Sequence, residues 1–73
     1  MPFQWSPSRM DQLERAAREG RRVALTRRGT EFVVVARRLE IGGKSERFVG
    51  YLPMTGDEIT FDLLQVEAFE VLP

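Results

Sequence analysis

Residues 22 to 41, with the sequence RVALTRRGTEFVVVARRLEI, determine the fold class of this chain. Val23 and Leu25 stand two positions apart, and this apolar period predicts a β-strand. The run RRGT at 27–30 interrupts the alternation and predicts a hairpin turn. Residues 32–41 are rich in β-branched side chains and predict a long second strand. Because both faces of that strand are apolar at its start, we expect it to run through the centre of the domain and to bend.

The segment before this hairpin predicts one helix over residues 7 to 19. Two starting signals precede it: Ser6 as a cap with Pro7 at the first helical position, or Ser8 as a cap with Asp11 three residues later. A narrow apolar stripe follows at helical spacing and consists of Met10, Leu13, Ala16 and Ala17. Gly20 suits a left-handed C-cap, so the helix is expected to end there.

The segment after the hairpin predicts three more short strands, at residues 47–52, 59–62 and 68–72. Turns are expected at 42–45 and 53–57, and a short 3₁₀ turn at 63–66. The predicted fold class is therefore α+β: an N-terminal helix followed by a five-stranded, strongly bent antiparallel sheet, as in SH3-like or Sm-like small barrels. A single domain spans residues 1–73, with an arm at 1–5, the helix at 7–19 and the barrel at 22–72.

Four apolar side chains that are not part of the helix are predicted to contribute to the core. Phe3 and Trp5 lie two apart in the N-terminal arm, as on one side of an extended segment, and are expected to plug the core. Val35 and Phe61 are predicted to be buried on the inward faces of their strands. Truncation of either strand residue is therefore expected to be strongly destabilising.

The composition excludes several classes of function. The 73 residues contain no cysteine and no histidine, which leaves no disulfide, no thiol or imidazole catalyst and no Cys/His zinc site. No apolar run approaches the roughly 20 residues that span a bilayer. We therefore expect a cytoplasmic protein that is not an enzyme and has no cofactor, no metal and no membrane partner.

The charges are distributed unevenly along the chain although they cancel overall. Residues 1–47 contain eleven basic and six acidic residues, whereas residues 48–73 contain five acidic residues and no basic one. One interpretation is that strands from the two halves pair and that their outward charges attract each other. The alternatives are a basic face for an anionic partner, or oppositely charged faces that meet in a homo-oligomer.

Three arginine doublets, at positions 21/22, 27/28 and 37/38, are the candidates for binding. Neighbouring residues of a strand point to opposite faces, so each doublet is expected to place one guanidinium on a given surface. Solvated surface charge is the alternative interpretation. A single-faced stripe would contact the phosphates of nucleic acid, with an aromatic side chain for base stacking. The candidate residues for this nucleic-acid or anion site are Arg22, Arg28, Arg38 and Tyr51.

A C-terminal pattern resembles a known family. It runs from Val49-Gly50-Tyr51 through Thr55-Gly56 and Thr60-Phe61 to Leu63, Val66 and Val71. This order resembles the C-terminal part of the WYL domain of bacterial regulators. The resemblance implies an Sm-like barrel that binds nucleic acid or a nucleotide-like ligand in transcriptional regulation. The sequence departs from the family in lacking the Trp-Tyr-Leu signature and in having Ile59, Asp62 and Gln65 where arginines are expected.

Residues 13–35 are also similar to the N-terminal half of Phd-type antitoxins, through the helix, Gly20 and the run Leu25-Thr26-Arg27. Those proteins continue into helices, whereas this chain continues into strands. The first functional expectation is therefore a small non-catalytic binding or assembly module that contacts nucleic acid or a nucleotide-like ligand through its arginine-rich half. The alternative is a self-associating structural protein without a ligand.

Overall fold

A computed structural model describes residues 4–42 and 46–73 of the chain. Within this part, the helix α1 (Pro7–Glu19) is followed by the strands β1 (Arg22–Arg27), β2 (Thr30–Glu40), β3 (Arg47–Tyr51), β4 (Glu58–Asp62) and β5 (Val66–Val71), with a 3₁₀ turn at Leu63–Gln65. The predicted α+β class is confirmed. Phe3 and positions 43–45 of the predicted turn lie outside the described residues.

The helix α1 has the boundaries that its capping residues predict. Ser6 is the N-cap, and its side-chain oxygen accepts a hydrogen bond from the backbone N–H of Arg9 at 3.2 Å. Of the two predicted starts, the one at Ser6 and Pro7 is therefore correct. Gly20 ends the helix with φ +67°, a left-handed conformation that glycine adopts without a steric penalty.

The five strands form one antiparallel sheet in the order β4-β3-β2-β1-β5. One face of the sheet, which we call the inner face, packs against α1, and the opposite one is called the outer face. The core on the inner face consists of buried residues from α1, the strands and the 3₁₀ turn: Leu13, Ala16, Val23, Leu25, Val34, Ala36, Phe48, Phe61, Leu63 and Val66.

The prediction for Phe61 is confirmed, since its side chain is fully buried, but the prediction for Val35 is wrong. Val34 pairs with Val23 and shares the inner face with it. Val35 consequently points to the outer face and is only half-buried. Residues 32–36 are apolar at odd and even positions alike, so the alternation of apolar residues alone does not determine which side of β2 faces the core.

The sheet is strongly bent, as predicted. A bulge lies between Ala36 and Arg38, where the register with β3 shifts by one residue. The rings of Phe32 on β2 and Phe61 on β4 are 5.4 Å apart, whereas strands two places apart in a flat sheet are separated by roughly 10 Å. The bend therefore brings the inner faces of β2 and β4 into contact.

The barrel is not closed by strand pairing, since no hydrogen-bonded ladder joins β4 to β5 in the described part of the chain. Trp5 instead joins the 3₁₀ turn that follows β4 to β5. Its indole Nε1 donates a hydrogen bond to the carbonyl oxygen of Leu63 at 2.7 Å, and its ring stacks on Phe69 of β5 at 5.0 Å. Trp5 thus has the plugging role that was predicted for the arm.

Candidate nucleic-acid interface

A row of outer-face residues crosses the sheet near the end where β1 begins. Arg22 pairs with Val35 of β2, and Val35 pairs with Tyr51 of β3. Gly50, next to Tyr51, pairs with Ala36 on the inner face, so Tyr51 points outward. Arg22 and Tyr51 are thus two strands apart on one surface, which corresponds to roughly 10 Å between their backbones.

The bulge in β2 adds a second arginine to this surface. Ala36 pairs with Gly50 and Arg38 pairs with Val49, so that Arg37 is the extra residue between them. The guanidinium carbon of Arg37 lies over the Tyr51 ring, 5.1 Å from its centroid. The bulge therefore places Arg37 and Arg38 on the same outer face. The prediction of one guanidinium per doublet on each face is wrong at this doublet, because it assumes uninterrupted alternation.

Arg38 differs from Arg37 in that carboxylates surround it. Its Nε is 3.2 Å from Glu40, and its Nη1 is 3.6 Å from Glu58 of β4. Glu40 is also 3.5 Å from Arg47 of β3. These side chains are between 37% and 52% exposed, so the network contributes little stability. Its main effect is to neutralise Arg38 and to hold it beside Tyr51.

Arg22 and Arg28 are both exposed, and neither has an ion-pair partner among residues 4–42 and 46–73. They lie far apart, however, because Arg22 begins β1 whereas Arg28 follows its last residue. Arg28 belongs to the hairpin turn and has φ 51°. Of the four predicted site residues, the structure therefore brings together Arg22, Arg38 and Tyr51, and it separates Arg28 from them.

The charge asymmetry of the sequence is not matched by ion pairs between the two halves. Among the ion pairs of the described residues, only Arg38 with Glu58 joins a basic residue before position 48 to an acidic one after it. The strands of the two halves do pair, as β1 does with β5. Their outward charges nevertheless remain largely unpaired, and Arg22 and Arg37 provide two cations without a carboxylate partner on the candidate surface.

Two arginines of the doublets that are not among the four predicted site residues have aromatic contacts. Arg37 had a signal: the spacing from Ala36 to Leu39 is three, which breaks a period of two and is typical of a bulge. Arg27 also had a signal in the sequence: it stands two positions after Leu25 in the same strand, so it lies on the same inner face. Its guanidinium carbon lies 5.2 Å from the ring centroid of Phe32 and 5.0 Å from that of Phe61.

A surface groove of about 330 Å³ lies between α1 and the end of β5, lined by Gln12, Arg15, Ala16, Glu19, Arg21 and Val71. Its arginines are already paired, Arg15 with Asp11 at 3.7 Å and Arg21 with Glu19 at 2.7 Å. The groove therefore offers little unbalanced charge, and it contributes less to anion binding than the outer face.

The described residues contain no cluster of three or more acidic groups that would hold a metal ion. None of the helices in this part of the chain has the length and apolar character needed to cross a membrane. Three comparisons, with protein-family models, with curated proteins and with solved structures, gave no significant match to this chain. The similarity of residues 48–72 to the WYL domain therefore stays a prediction.

Proposed function

We propose that this chain is a small non-catalytic binding module that contacts single-stranded nucleic acid or a nucleotide-like ligand, in a regulatory role, through its outer face. The observation that carries the proposal is the position of Arg37 over Tyr51, in the same row as the unpaired Arg22. The four residues of the proposed surface are Arg22, Arg37, Arg38 and Tyr51.

The chemistry of these side chains supports a nucleotide more than a simple anion. A guanidinium that lies over an aromatic ring adds a planar cation to a π surface, and a base can stack on such a pair. Arg22 lies about two strands away from this pair, within reach of a phosphate attached to the stacked nucleoside. The arrangement contains no base-edge reader in a groove, so we expect little sequence preference.

Affinity is expected to be low, because few cations on this surface are uncompensated. The whole chain has no net charge, so long-range attraction of a polyanion is weak. Arg38 is neutralised by Glu40 and Glu58, which leaves Arg22 and Arg37 for direct phosphate contacts. Binding that rests on so few contacts should weaken measurably as salt rises.

The test is a titration of a fluorescently labelled oligothymidylate with the protein at low and at physiological salt. The wild type is compared with the double variant Arg22→Ala/Arg37→Ala. A matched control is Arg15→Ala/Arg18→Ala, which also removes two positive charges but from the surface of α1, where both arginines are ion-paired. We expect binding by the wild type and the control, and a strong loss in the double variant. Equal binding by all three proteins, or none at low salt, contradicts the proposal.

Self-association is a second candidate function, and one observation favours it. Val33 on the outer face is 43% exposed and pairs with Ala24, so the centre of that face is apolar rather than polar. Sedimentation velocity over a range of protein concentrations tests this candidate. A sedimentation coefficient that rises with concentration, and no longer does so in Val33→Lys, supports assembly through the outer face.

A further inference from the structure

The end of the domain opposite the proposed nucleotide surface contains a second arginine in an unusual position. Arg27 is the last residue of β1 and points to the inner face, like Val23 and Leu25. Its guanidinium carbon lies 5.2 Å from the ring centroid of Phe32 and 5.0 Å from that of Phe61. Two aromatic rings therefore hold this one guanidinium.

The rings form a fixed support for the arginine. Phe61 is fully buried, and it meets Phe32 edge-on with 66° between the ring planes. The Phe61 ring cannot turn away freely, because interiors are close-packed, and the half-buried Phe32 ring packs against it. A guanidinium fixed between such rings loses little further conformational entropy when a ligand binds to it.

No carboxylate neutralises Arg27 within the described residues, although one is close in the ladder. Glu67 lies in a bulge between the pairs Thr26–Ala68 and Arg27–Val66. Its carboxylate accepts a hydrogen bond from the backbone N–H of Gly29 at 2.8 Å. The acid that the bulge places beside Arg27 thus binds the hairpin backbone instead.

The donors of Arg27 are accessible to solvent. In the described part of the chain, no buried side-chain nitrogen or oxygen lacks a hydrogen-bond partner. The guanidinium of Arg27 has no hydrogen bond there, so its nitrogens are not buried. The exposed Arg28 follows directly and brings a second cation without a carboxylate partner.

We propose that Arg27, held between Phe32 and Phe61, is a preorganised receptor for an oxyanion, with Arg28 as an auxiliary contact. The planar fork of a guanidinium matches the two oxygens of a carboxylate or a phosphate group. This site is separate from the outer-face surface around Tyr51, and it stands whether or not that surface binds a nucleotide. Its ligand is a single carboxylate or phosphate group that fits against the hairpin end of the sheet.

The first test is an NMR titration of the uniformly ¹⁵N-labelled protein with inorganic phosphate, and in a second arm with acetate, at constant ionic strength maintained with chloride. We expect the Nε–Hε signal of Arg27 to shift and saturate, while that of Arg22 moves little. The anion that saturates at the lower concentration identifies the ligand as phosphate-like or carboxylate-like. Parallel, unsaturated shifts of all exposed arginines in both arms overturn the proposal.

The second test uses variants in the same titration, with backbone amide shifts of the hairpin as the readout. Arg27→Lys keeps the charge but loses the planar fork, and we expect it to weaken binding by roughly tenfold, the effect of one charge-assisted hydrogen bond. Arg28→Ala removes a neighbouring charge and should have a smaller effect. Phe32→Leu removes one supporting ring without a change in charge and should also weaken binding. If Arg27→Lys and Phe32→Leu both bind as tightly as the wild type, the site does not exist as proposed.

Discussion

Gly50 on β3 lies directly against the side chain of Val34 on β2. A β-carbon at position 50 would be 2.7 Å from Cγ2 of Val34, closer than such atoms can approach, and 3.1 Å from the carbonyl oxygen of Val35. The absence of a side chain at Gly50 therefore allows β3 to approach the middle of β2 at the point where the sheet bends. A glycine inside a strand predicts a bend or a close approach, and this contact is the physical reason.

Gly50→Ala is expected to destabilise the protein by about 1–3 kcal/mol, the usual cost of overpacking a core. Urea denaturation followed by circular dichroism measures the change. The double variant with Val34→Ala provides the control, because it removes the Cγ2 atom that the new β-carbon would meet. Gly50→Ala should cost less in that background than in the wild type. Equal costs in both backgrounds would mean that Val34 is not the source of the conflict.

Val34→Ala and Val35→Ala form a matched pair that tests which face of β2 is the core. Val34 is fully buried, so its truncation should cost roughly 2 kcal/mol or more. Val35 is half-buried on the outer face, and its truncation should cost about 1 kcal/mol, because only part of its surface is removed from water. Thermal midpoints of the two variants, measured in parallel, are sufficient. A larger loss for Val35→Ala would reverse the assignment of the faces.

Phe61→Ala should destabilise the protein more than either valine truncation in β2, at roughly 3–5 kcal/mol. Its ring contacts both Phe32 and Phe48 and is fully buried, so the surrounding residues cannot fill the cavity. Since small domains have only about 5–15 kcal/mol of stability, a substantial unfolded fraction is expected on warming. An unchanged thermal midpoint would show that β4 does not close the core.

Trp5→Phe tests how the arm holds the 3₁₀ turn against β5. The variant keeps an aromatic ring that can stack on Phe69 but loses the donor to the carbonyl of Leu63. We expect a loss of about 1 kcal/mol, the net contribution of one hydrogen bond. Hydrogen exchange should become faster in the 3₁₀ turn at Leu63–Gln65 while α1 stays protected. Faster exchange throughout the protein, without a local effect, would argue against this role of Trp5.

The sequence was sufficient to predict the helix and the order of elements, because these depend on local signals. Ser6, Pro7 and Gly20 determine where α1 begins and ends, and the period of two after Gly20 defines the strands. Local signals did not predict which face of β2 packs against the core. Residues 32–36 are apolar at both parities, and the choice between Val34 and Val35 depends on the register with β1, which is a tertiary property.

The candidate surface could be predicted in part, again because some of it depends on local signals and the rest on the pairing of the strands. The residue types of Arg22, Arg38 and Tyr51 indicated a basic and aromatic surface, but that these three share one face follows from the pairing of the strands. Alternation along β2 fails at this doublet, because the extra residue of the bulge brings Arg38 to the outer face, where Arg37 already lies. The position of Arg28 depends on the length of β1, which separates it from Arg22 by the full strand.

The last prediction compares Arg37→Ala with Arg38→Ala, two neighbours with the same charge on the same face. Arg37 lies over the Tyr51 ring and has no carboxylate partner among the described residues, whereas Arg38 is paired with Glu40 and Glu58. If the outer face binds oligothymidylate as proposed, Arg37→Ala should remove both a stacking surface and a phosphate contact. Fluorescence anisotropy at several salt concentrations measures the affinity and its salt dependence for each variant.

For Arg37→Ala the affinity should fall, and the slope of log affinity against log salt should decrease by about 0.7, the value for one phosphate contact with a single strand. Arg38→Ala should lower the affinity as well, because it leaves Glu58 without its ion-pair partner and Glu40 with Arg47 alone. Its slope should nevertheless stay close to that of the wild type, since Arg38 makes no direct phosphate contact in this proposal.

Tyr51→Leu, which keeps every charge, separates stacking from charge and should reduce the affinity at all salt concentrations with an unchanged slope. A slope that decreases in Arg38→Ala but not in Arg37→Ala would reassign the phosphate contact to Arg38 and reject the Arg37–Tyr51 pair as the binding element.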